Sequence, residues 1–427
     1  MKHVDVIEVR IWGKQVGAVA QDPRLGAYVF EYADSWRRTG IALSPFMLPL
    51  DRADGRFAFP ALDPDAFHRL PGLLADALPD DFGNQLINGW MASHGIRPEE
   101  ATALDRLAYM GRRGMGALEF RPTRGGNTET AAPIEMKALV EVARKAVHGG
   151  LAGDPEAQAA LASIIRVGTS AGGARAKAVV AWNPATHELR SGQFDAAPGF
   201  EHWLLKFDGM GADQELGQSQ CYGRREYAYH LMATAAGIAM SECRLLEENG
   251  RAHFMTRRFD RDGNRKIHMQ TLAALQHMSH KQRRTHAYES LFITAHGLGL
   301  AERDMEQLFL RMAFNVAGKN HDDHTKNFAF LLREGGAWAL APAYDVTHAY
   351  NPAGEWTQHH LMSVAGKFDD ITADDLQEVA ARFSIRNPPA LMDQVDAAIA
   401  RWPEFAQAAG LPAADRDDVG RLLIRLR

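Results

Sequence analysis

Apolar and polar positions alternate with period two at the start of the chain. In "VIEVRIWGKQVGAVA", Ile7, Val9 and Ile11 alternate with Glu8 and Arg10, the pattern of a half-buried strand. Gly13-Lys14 can turn the chain into a second strand, and "GAYVFEYADSW" reads as a third. A proline-rich stretch from Pro45 to Pro79 precedes a helical segment around "DFGNQLINGWMASHGI". "RPTRGGNTETAAP" (Arg121–Pro133) has the Gly, Thr and Pro content of a linker, which places a boundary there. Beyond it, "IEMKALVEVARKAVHG" is patterned as an amphipathic helix, and short β-like pieces follow in "ARAKAVVAW", "HWLLKF" and "RAHFMTRRF". "RREYAYHLMATAAGI" between them is helical, and Asp262-Gly263 signals a hairpin. From about Leu272 the periodicity becomes mostly helical, as in "HAYESLFITAHGLGL", "AERDMEQLFLRMAFNVAG", "TADDLQEVAARFS" and "PALMDQVDAAIARW".

The pattern predicts an α+β chain. Its parts are a β-containing N-terminal unit over 1–122, a small mixed α/β unit over 134–262, and a mostly helical unit over 263–427. A length of 427 residues agrees with two or three domains. The balance of 48 basic and 53 acidic residues gives a net charge of −5 and no overall basic field for nucleic acid. Two cysteines, Cys221 and Cys243, cannot build a disulfide framework or a four-thiolate zinc site, and they fit a reducing, cytoplasmic setting. The N-terminus lacks the apolar core of a secretion signal, and no apolar run is long enough for a membrane span. No contact with membrane is expected.

Chemistry concentrates in "NHDDHTKNFAFL", Asn320–Leu331. His321 and His324 are three apart, not the i, i+4 spacing of helical zinc ligands, and no third ligand follows at standard spacing. A solvated loop explains "DDHTK" but not the strand-like run directly behind it. The spacing that fits is Asp322 with Asn327, five apart, followed by "FAFLLREGGAWALAPAYDV", a strand, a Gly-Gly turn and a strand ending at Asp345. Phosphoryl-transfer enzymes of the protein-kinase type place a catalytic Asp, a metal-binding Asn and a second metal-binding Asp in this order. Asn327 and Asp345 supply hard oxygen ligands of the kind Mg²⁺ takes beside phosphates. Asp322 would orient a substrate hydroxyl. Lys326 either steadies a phosphate or is an exposed loop lysine. His324 is read as orienting the loop, and Asp323, out of register for the pair, as a solvated neighbour.

The rest of such a site lies upstream in the same order. "VGTSAGGARAKAVV" is a Gly-rich loop leading into a strand. Gly168, Gly172 and Gly173, with Thr169, Ser170 and Ala171, would bring backbone amides close to phosphates. It is not a Walker A loop, because Ala174 and Arg175 stand where Lys and Ser/Thr are needed. Lys206 sits in the apolar strand "HWLLKF". Either it faces inward towards phosphate, with Glu226 as its carboxylate partner, or both face water. In "FMTRRF", the backbone from Arg257 to Phe259 can serve an adenine, with Phe259 as an apolar wall or as ordinary core.

On these residues the chain resembles the HipA family of serine/threonine kinases, toxins of bacterial toxin–antitoxin systems. "WGKQVGAVA" and "LPGLLADALPDDFGNQLINGW" are similar to the family's extra N-terminal domain. "SAGGARAKA", "LLKF", "TRRFDR", "NHDDHTKNFAFL" and "LAPAYDV" resemble its core motifs in order. The resemblance implies a bilobal protein-kinase-like fold, with a small mixed α/β N-lobe and a mostly helical C-lobe, that uses ATP and Mg²⁺. It implies Asp322 as catalytic Asp, Asn327 and Asp345 as metal ligands, Lys206 on ATP phosphates and Arg257–Phe259 at the adenine. It further implies inhibitory autophosphorylation of Ser170, with Thr169 as its neighbour. The implied partner is a HipB-like helix-turn-helix antitoxin that brings operator DNA. The implied target is a translation component such as an aminoacyl-tRNA synthetase, glutamate–tRNA ligase in particular, with growth arrest as the result. Asp345-Val346-Thr347 and Asn320-His321-Asp322 replace the Asp-Phe-Gly and His-Arg-Asp of ordinary protein kinases, and "GARAK" and Arg257 depart from one subgroup of the family. A corepressor without catalysis, and a small-molecule or lipid kinase on a related scaffold, are the alternative readings.

Overall fold

The computed structural model describes residues 2–79, 81–124, 176–208, 221–248 and 250–427. The linker beyond Arg124, the expected helix Ile134–Gly149 and the Gly-rich loop with Gly168 to Gly173 lie outside the described residues. The chain divides into two compact units. One is Met1–Gly211 with Arg257–Ser279 and Leu331–Ala337; the other is Ala212–Thr256 with His280–Phe330 and Trp338–Arg427.

In the first unit, strands β1 (Val6–Ile11), β2 (Lys14–Asp22), β3 (Ala27–Tyr32) and β4 (Arg56–Ala58) are followed by helices α1 (Asp81–Ser93) and α2 (Ala103–Met110) and strand β5 (Leu118–Arg121). The strands form an antiparallel sheet in the order β4-β3-β2-β1-β5. The alternating face of β1 carries the core: Ile7, Val9 and Ile11 are buried. The first turn lies one residue earlier than the Gly13-Lys14 expected. Ile11 pairs with Lys14, so Trp12 and Gly13 make the turn, with φ of 48° and 76°. A two-residue turn with positive φ at both positions matches the right-handed twist of the strands, and Trp12 is held there by its indole N–H, which donates to the Lys266 carbonyl at 3.1 Å. At the start of α2, Thr102 and Asp105 form a reciprocal capping box.

Strands β6 (Lys177–Trp182), β7 (Leu189–Ser191) and β8 (Glu201–Lys206) form a second antiparallel group with β6 in the middle. A central strand is covered on both faces, and β6 is buried along its whole length, including Lys177 at 2% exposure.

Residues 257–279 pack into the same unit. The Asp262-Gly263 hairpin is present: Arg261–Asp262 pairs with Arg265–Lys266 around Gly263. Just before it, Asp260 is fully buried. Its carboxylate accepts from Arg258 Nε at 2.9 Å and Nη2 at 2.7 Å, from Arg261 Nη1 at 2.8 Å, and from the Gly116 N–H at 2.7 Å. Arg261 also donates to the carbonyls of Gly114 and Gly116. Burial alone would raise the Asp260 carboxyl, but the two guanidiniums overrule it and hold it well below the usual carboxylate range. Gly116 makes its contact at φ +72°, a conformation that glycine adopts without strain. Nearby, Lys266 donates to Glu119 Oε1 and to the Arg112 carbonyl, both at 2.8 Å. Thr271 donates to Asp76, and His277 Nε2 accepts the Gly72 N–H at 2.9 Å. The "TRRFDR" motif therefore works as a buried polar knot that ties residues 257–279 to the N-terminal sheet and its helices.

The second unit begins with helix α3 (Tyr222–Ala235) and the hairpin β9 (Cys243–Glu248) and β10 (Arg251–Arg257). Helices α4 (Tyr288–Gly297) and α5 (Glu302–Ala317), the hairpin β11 (Ala329–Leu332) and β12 (Trp338–Leu340), of which Leu331–Ala337 counts with the first unit, and helices α6 (Ala373–Arg382), α7 (Pro388–Ala400), α8 (Trp402–Ala408) and α9 (Ala413–Gly420) follow. The stripe Met305, Leu308, Phe309, Met312, Ala313 and Val316 on α5 is buried, as the i, i+3, i+4, i+7 spacing requires. Tyr229 on α3 packs edge-on to Phe314 and Trp402, and its hydroxyl donates to the Gly318 carbonyl at 2.6 Å, which fixes the C-terminal end of α5. No helix among the described residues is long and apolar enough to cross a membrane.

Candidate active site

The stretch from Asn320 leaves α5 through Gly318 and Lys319, the latter at φ 53°. Its backbone is pinned at once. The Asn320 N–H donates to the Asn315 carbonyl at 3.0 Å, Ala349 N–H to the Lys319 carbonyl at 3.1 Å, and His321 N–H to the Ala349 carbonyl at 3.1 Å. Thr325–Asn327 then form one turn of 3₁₀ helix, and β11 begins at Ala329. The Gly-rich turn of the hairpin, with Gly335 at φ 72°, returns the chain so that the Ala341 N–H reaches the Ala329 carbonyl at 3.0 Å. Past β12, the Tyr344 hydroxyl donates to the Lys326 carbonyl at 2.5 Å. Asp345 follows with φ 53°, a left-handed conformation that a non-glycine residue holds only when its surroundings impose it.

This topology brings Asn327 and Asp345 to one cleft, whose walls also include Asn315, Asn320, Asp323 and Tyr344. The D-x4-N spacing has a direct structural meaning: Asn327 Nδ2 donates to the main-chain carbonyl of Asp322 at 2.7 Å. With its nitrogen engaged there, the amide presents its oxygen as the remaining polar atom. The Asp322 side chain is 49% exposed, and His324 Nε2 stands 3.7 Å from its Oδ1. His324 also starts the 3₁₀ turn, its carbonyl accepting the Asn327 N–H at 2.9 Å. Lys326 is half-buried on the same turn.

Asp323 is not the solvated neighbour expected. Its side chain is 0% exposed. Oδ2 accepts from the Tyr288 hydroxyl and His360 Nδ1, both at 2.8 Å, and Oδ1 accepts the Leu361 N–H at 2.7 Å. Behind it, Asn315 Nδ2 donates to the Tyr288 oxygen at 2.9 Å, and Asn320 Nδ2 donates to Asn315 Oδ1 at 2.9 Å. Burial, and then the Asp323 carboxylate, push the Tyr288 phenol well above its ordinary value, so it stays a donor. His321 is buried against the His360 ring, with centroids 4.1 Å apart, and burial drives its imidazole down to about 2. A carboxylate at this position can be buried because Tyr288, His360 and the Leu361 N–H each offer it a donor. The hub fixes the loop from below while Asp322 faces outward.

The other expected residues fall as follows. Lys206 is half-buried at the end of β8 and belongs to the first unit. Glu226 is buried on α3 in the second. Arg257 is exposed, its Nη2 3.2 Å from Glu201 Oε1, and Phe259 beside it is half-buried. Three residues were not singled out by the sequence. Tyr288 and His360 support Asp323 from well outside the motif. Lys177 pairs in register directly opposite Lys206, so the two side chains leave the same face of the sheet. Its signal was present in the sequence: a lysine entering a run, "KAVVAW", with no polar position to mark an exposed face.

A family model described as the HipA-like C-terminal domain matches residues 169–403, and one described as the HipA N-terminal domain matches residues 7–121. Among solved structures, the chain is similar to HipA of Shewanella oneidensis MR-1, determined with HipB and its operator DNA. The TM-score is 0.67 at 16% sequence identity, over 97% of this chain and 94% of that one. It also matches the proinflammatory kinase CtkA of Helicobacter pylori, at a TM-score of 0.33 and 11% identity over 52% of this chain and 88% of that one. The comparison with curated proteins gave no match. The first likeness shows the fold, an α+β architecture of the HipA type, as expected from the order of elements.

Proposed function

Because the chain belongs to the HipA family, we propose that it is the toxin of a toxin–antitoxin pair and acts as an ATP- and Mg²⁺-dependent serine/threonine protein kinase. The observation that carries this reading is the common cleft of Asn327 and Asp345, with the main-chain carbonyl of Asp322 hydrogen-bonded to Asn327. The donor set fits the ion. Asn327 through its amide oxygen and Asp345 through its carboxylate would hold the ion as the hard ligands Mg²⁺ prefers, beside nucleotide phosphates and water. When bound, Mg²⁺ neutralises charge on the transferring phosphoryl group.

The chain's own residues do the rest by positioning. Asp322 holds the substrate hydroxyl and takes its proton, and the Asn327 hydrogen bond keeps the main chain at Asp322 from swinging. His324 orients the catalytic turn, its carbonyl accepting the Asn327 N–H at 2.9 Å. Lys177 and Lys206, opposite one another on β6 and β8, hold phosphate oxygens, because two like charges side by side are favoured when an anion lies between them. Lys326 adds a further cation on the catalytic turn. The adenine rests on the backbone of Arg257 to Phe259. Autophosphorylation of Ser170, or of Thr169 beside it, places a doubly charged group among the phosphates and silences the enzyme.

By likeness to the HipA solved with HipB and operator DNA, the partner is a HipB-like helix-turn-helix antitoxin, and operator DNA is reached through it. The protein substrate is an aminoacyl-tRNA synthetase, glutamate–tRNA ligase first among the candidates, and its modification arrests growth in the cytoplasm. The full chain, incubated with γ-labelled ATP and Mg²⁺, is expected to label Ser170, with the label lost in Asp322→Ala. ATP binding without transfer in the wild type favours a corepressor instead, and transfer only to a metabolite or lipid favours a small-molecule kinase.

A further inference from the structure

A chain of hydrogen bonds within the second unit runs from the buried Asp323 to the cleft, and its direction is fixed. It starts at the Asp323 carboxylate, which can only accept. Tyr288 therefore gives its one proton to Asp323 Oδ2 at 2.8 Å, and its oxygen is left to accept from Asn315 Nδ2 at 2.9 Å. That turns the Asn315 oxygen towards Asn320, whose Nδ2 donates to it at 2.9 Å. The Asn320 amide is thereby left with Oδ1 as its acceptor. Asn320 lines the same cleft as Asn327 and Asp345, is 2% exposed, and its Oδ1 meets no donor among the described residues. Its backbone cannot turn away, because its N–H donates to the Asn315 carbonyl at 3.0 Å and the residue bridges to Ala349. A buried carbonyl oxygen without a donor is costly, and it marks a place where a donor arrives with a ligand. Asn327 is used in the same way: its nitrogen is engaged by the Asp322 carbonyl and its oxygen remains. Two amide oxygens and the Asp345 carboxylate thus belong to one cleft.

We infer that Asn320 is a third residue of the ion site, a positioning residue that holds Mg²⁺ through the ion's own water shell. The inference rests on the kinase reading above. Mg²⁺ dehydrates reluctantly and keeps several waters when a protein binds it. Those waters need acceptors, and outer partners of this kind fix a metal nearly as firmly as its direct ligands do. The polarity of the relay matters. An Asn320 amide turned the other way would face the ion with N–H and repel it. Asp323 at the far end forbids that turn, so it acts on the ion site through the relay rather than as a ligand. Arg311, on the same wall, has an Nε–H without an acceptor. A bridge between Arg311 and Asn320 is therefore the alternative that the test has to separate.

The test counts free Mn²⁺, used in place of Mg²⁺, by its electron paramagnetic resonance signal in solutions of the full chain with a non-hydrolysable ATP analogue. Asn320→Ala loses both the oxygen and the hydrogen bond to Asn315, whereas Asn320→Asp keeps an oxygen and loses the donor. Asn320→Ala is expected to bind Mn²⁺ at least about tenfold more weakly than the wild type, and Asn320→Asp to bind it at least as tightly as the wild type. Raised Mg²⁺ should restore the rate of phosphate transfer in Asn320→Ala. Equal Mn²⁺ affinity in Asn320→Ala and the wild type overturns the inference and leaves the oxygen to a structural bridge with Arg311. So does an Asn320→Asp as weak as Asn320→Ala, which would assign the effect to the hydrogen bond with Asn315. If thermal melting shows that Asn320→Ala does not fold, Asn320→Asp decides alone, and a loss of about tenfold there overturns the inference. Each of these results leaves the kinase reading intact, with Asn327→Ala still weaker than the wild type. A wild type that binds no Mn²⁺ beside the analogue overturns both.

Discussion

Asn327 donates its side-chain N–H to the main-chain carbonyl of Asp322 at 2.7 Å. The pair is thus a closed local ring, and the asparagine has two separable duties: a clamp through nitrogen and a ligand through oxygen. Asn327→Asp keeps a ligand oxygen but cannot donate, whereas Asn327→Ala loses both. In a Mg²⁺ titration of phosphate transfer, Asn327→Ala should need more than about tenfold more metal for half-maximal rate. Asn327→Asp should keep the metal requirement near that of the wild type and lose kcat.

The two neighbouring aspartates should fail in different ways. Asp322→Asn removes an exposed carboxylate, so the melting temperature should hold while transfer collapses. Asp323→Asn puts an amide where Tyr288, His360 and Leu361 all donate. Unmet buried donors cost about 1–3 kcal/mol each, so its melting temperature should fall by several degrees. Calorimetry beside an activity assay separates the two, and a fully stable Asp323→Asn would sink the role of that carboxylate as a structural hub.

Lys177 and Lys206 carry a prediction about nucleotide binding. Lys177→Met removes the ammonium that stands opposite Lys206 in the sheet register, so the thermal shift of the variant on adding ATP and Mg²⁺ should be smaller than that of the wild type. An undiminished shift would contradict the assignment.

His277 makes stability depend on pH. Its Nε2 accepts the Gly72 N–H and so must be unprotonated, and burial pushes the imidazole down to about 4. In the unfolded chain a histidine titrates near about 6.5. The unfolded state therefore binds the extra proton first, and the contribution is complete above pH 6.5, declines between 6.5 and 4, and is gone below. It is worth roughly 3 kcal/mol at most. His268, also lowered to about 4 by burial, adds to the same window, so the comparison is between wild type and His277→Gln. Urea unfolding at pH 7 and pH 4.5 should show a smaller loss in the variant.

Much of this architecture was legible because it is locally encoded. The period-two face of β1, the Asp262-Gly263 turn, the stripe on α5 and the strand–turn–strand that leads from Asn327 to Asp345 are all set by near neighbours in sequence. The burial of Asp323 was not legible for the opposite reason. Its partners lie 35, 37 and 38 residues away, and nothing in "NHDDH" distinguishes an aspartate that faces solvent from one that faces a hidden ring of donors. The first turn was misplaced by one residue because Trp12, a poor candidate for positive φ, is held in that conformation by a carbonyl at Lys266.

The Asp260 knot bears on how such a chain can change over generations. Two arginines from one family segment close on a carboxylate whose remaining partner is the backbone of Gly116, in the other segment. The N–H that Gly116 donates would survive a substitution, but the φ of +72° that aims it would not come without strain in any residue with a Cβ. A foreign N-terminal segment grafted onto this one should therefore fit only if it carries glycine at this place, and a hybrid without it should fold poorly.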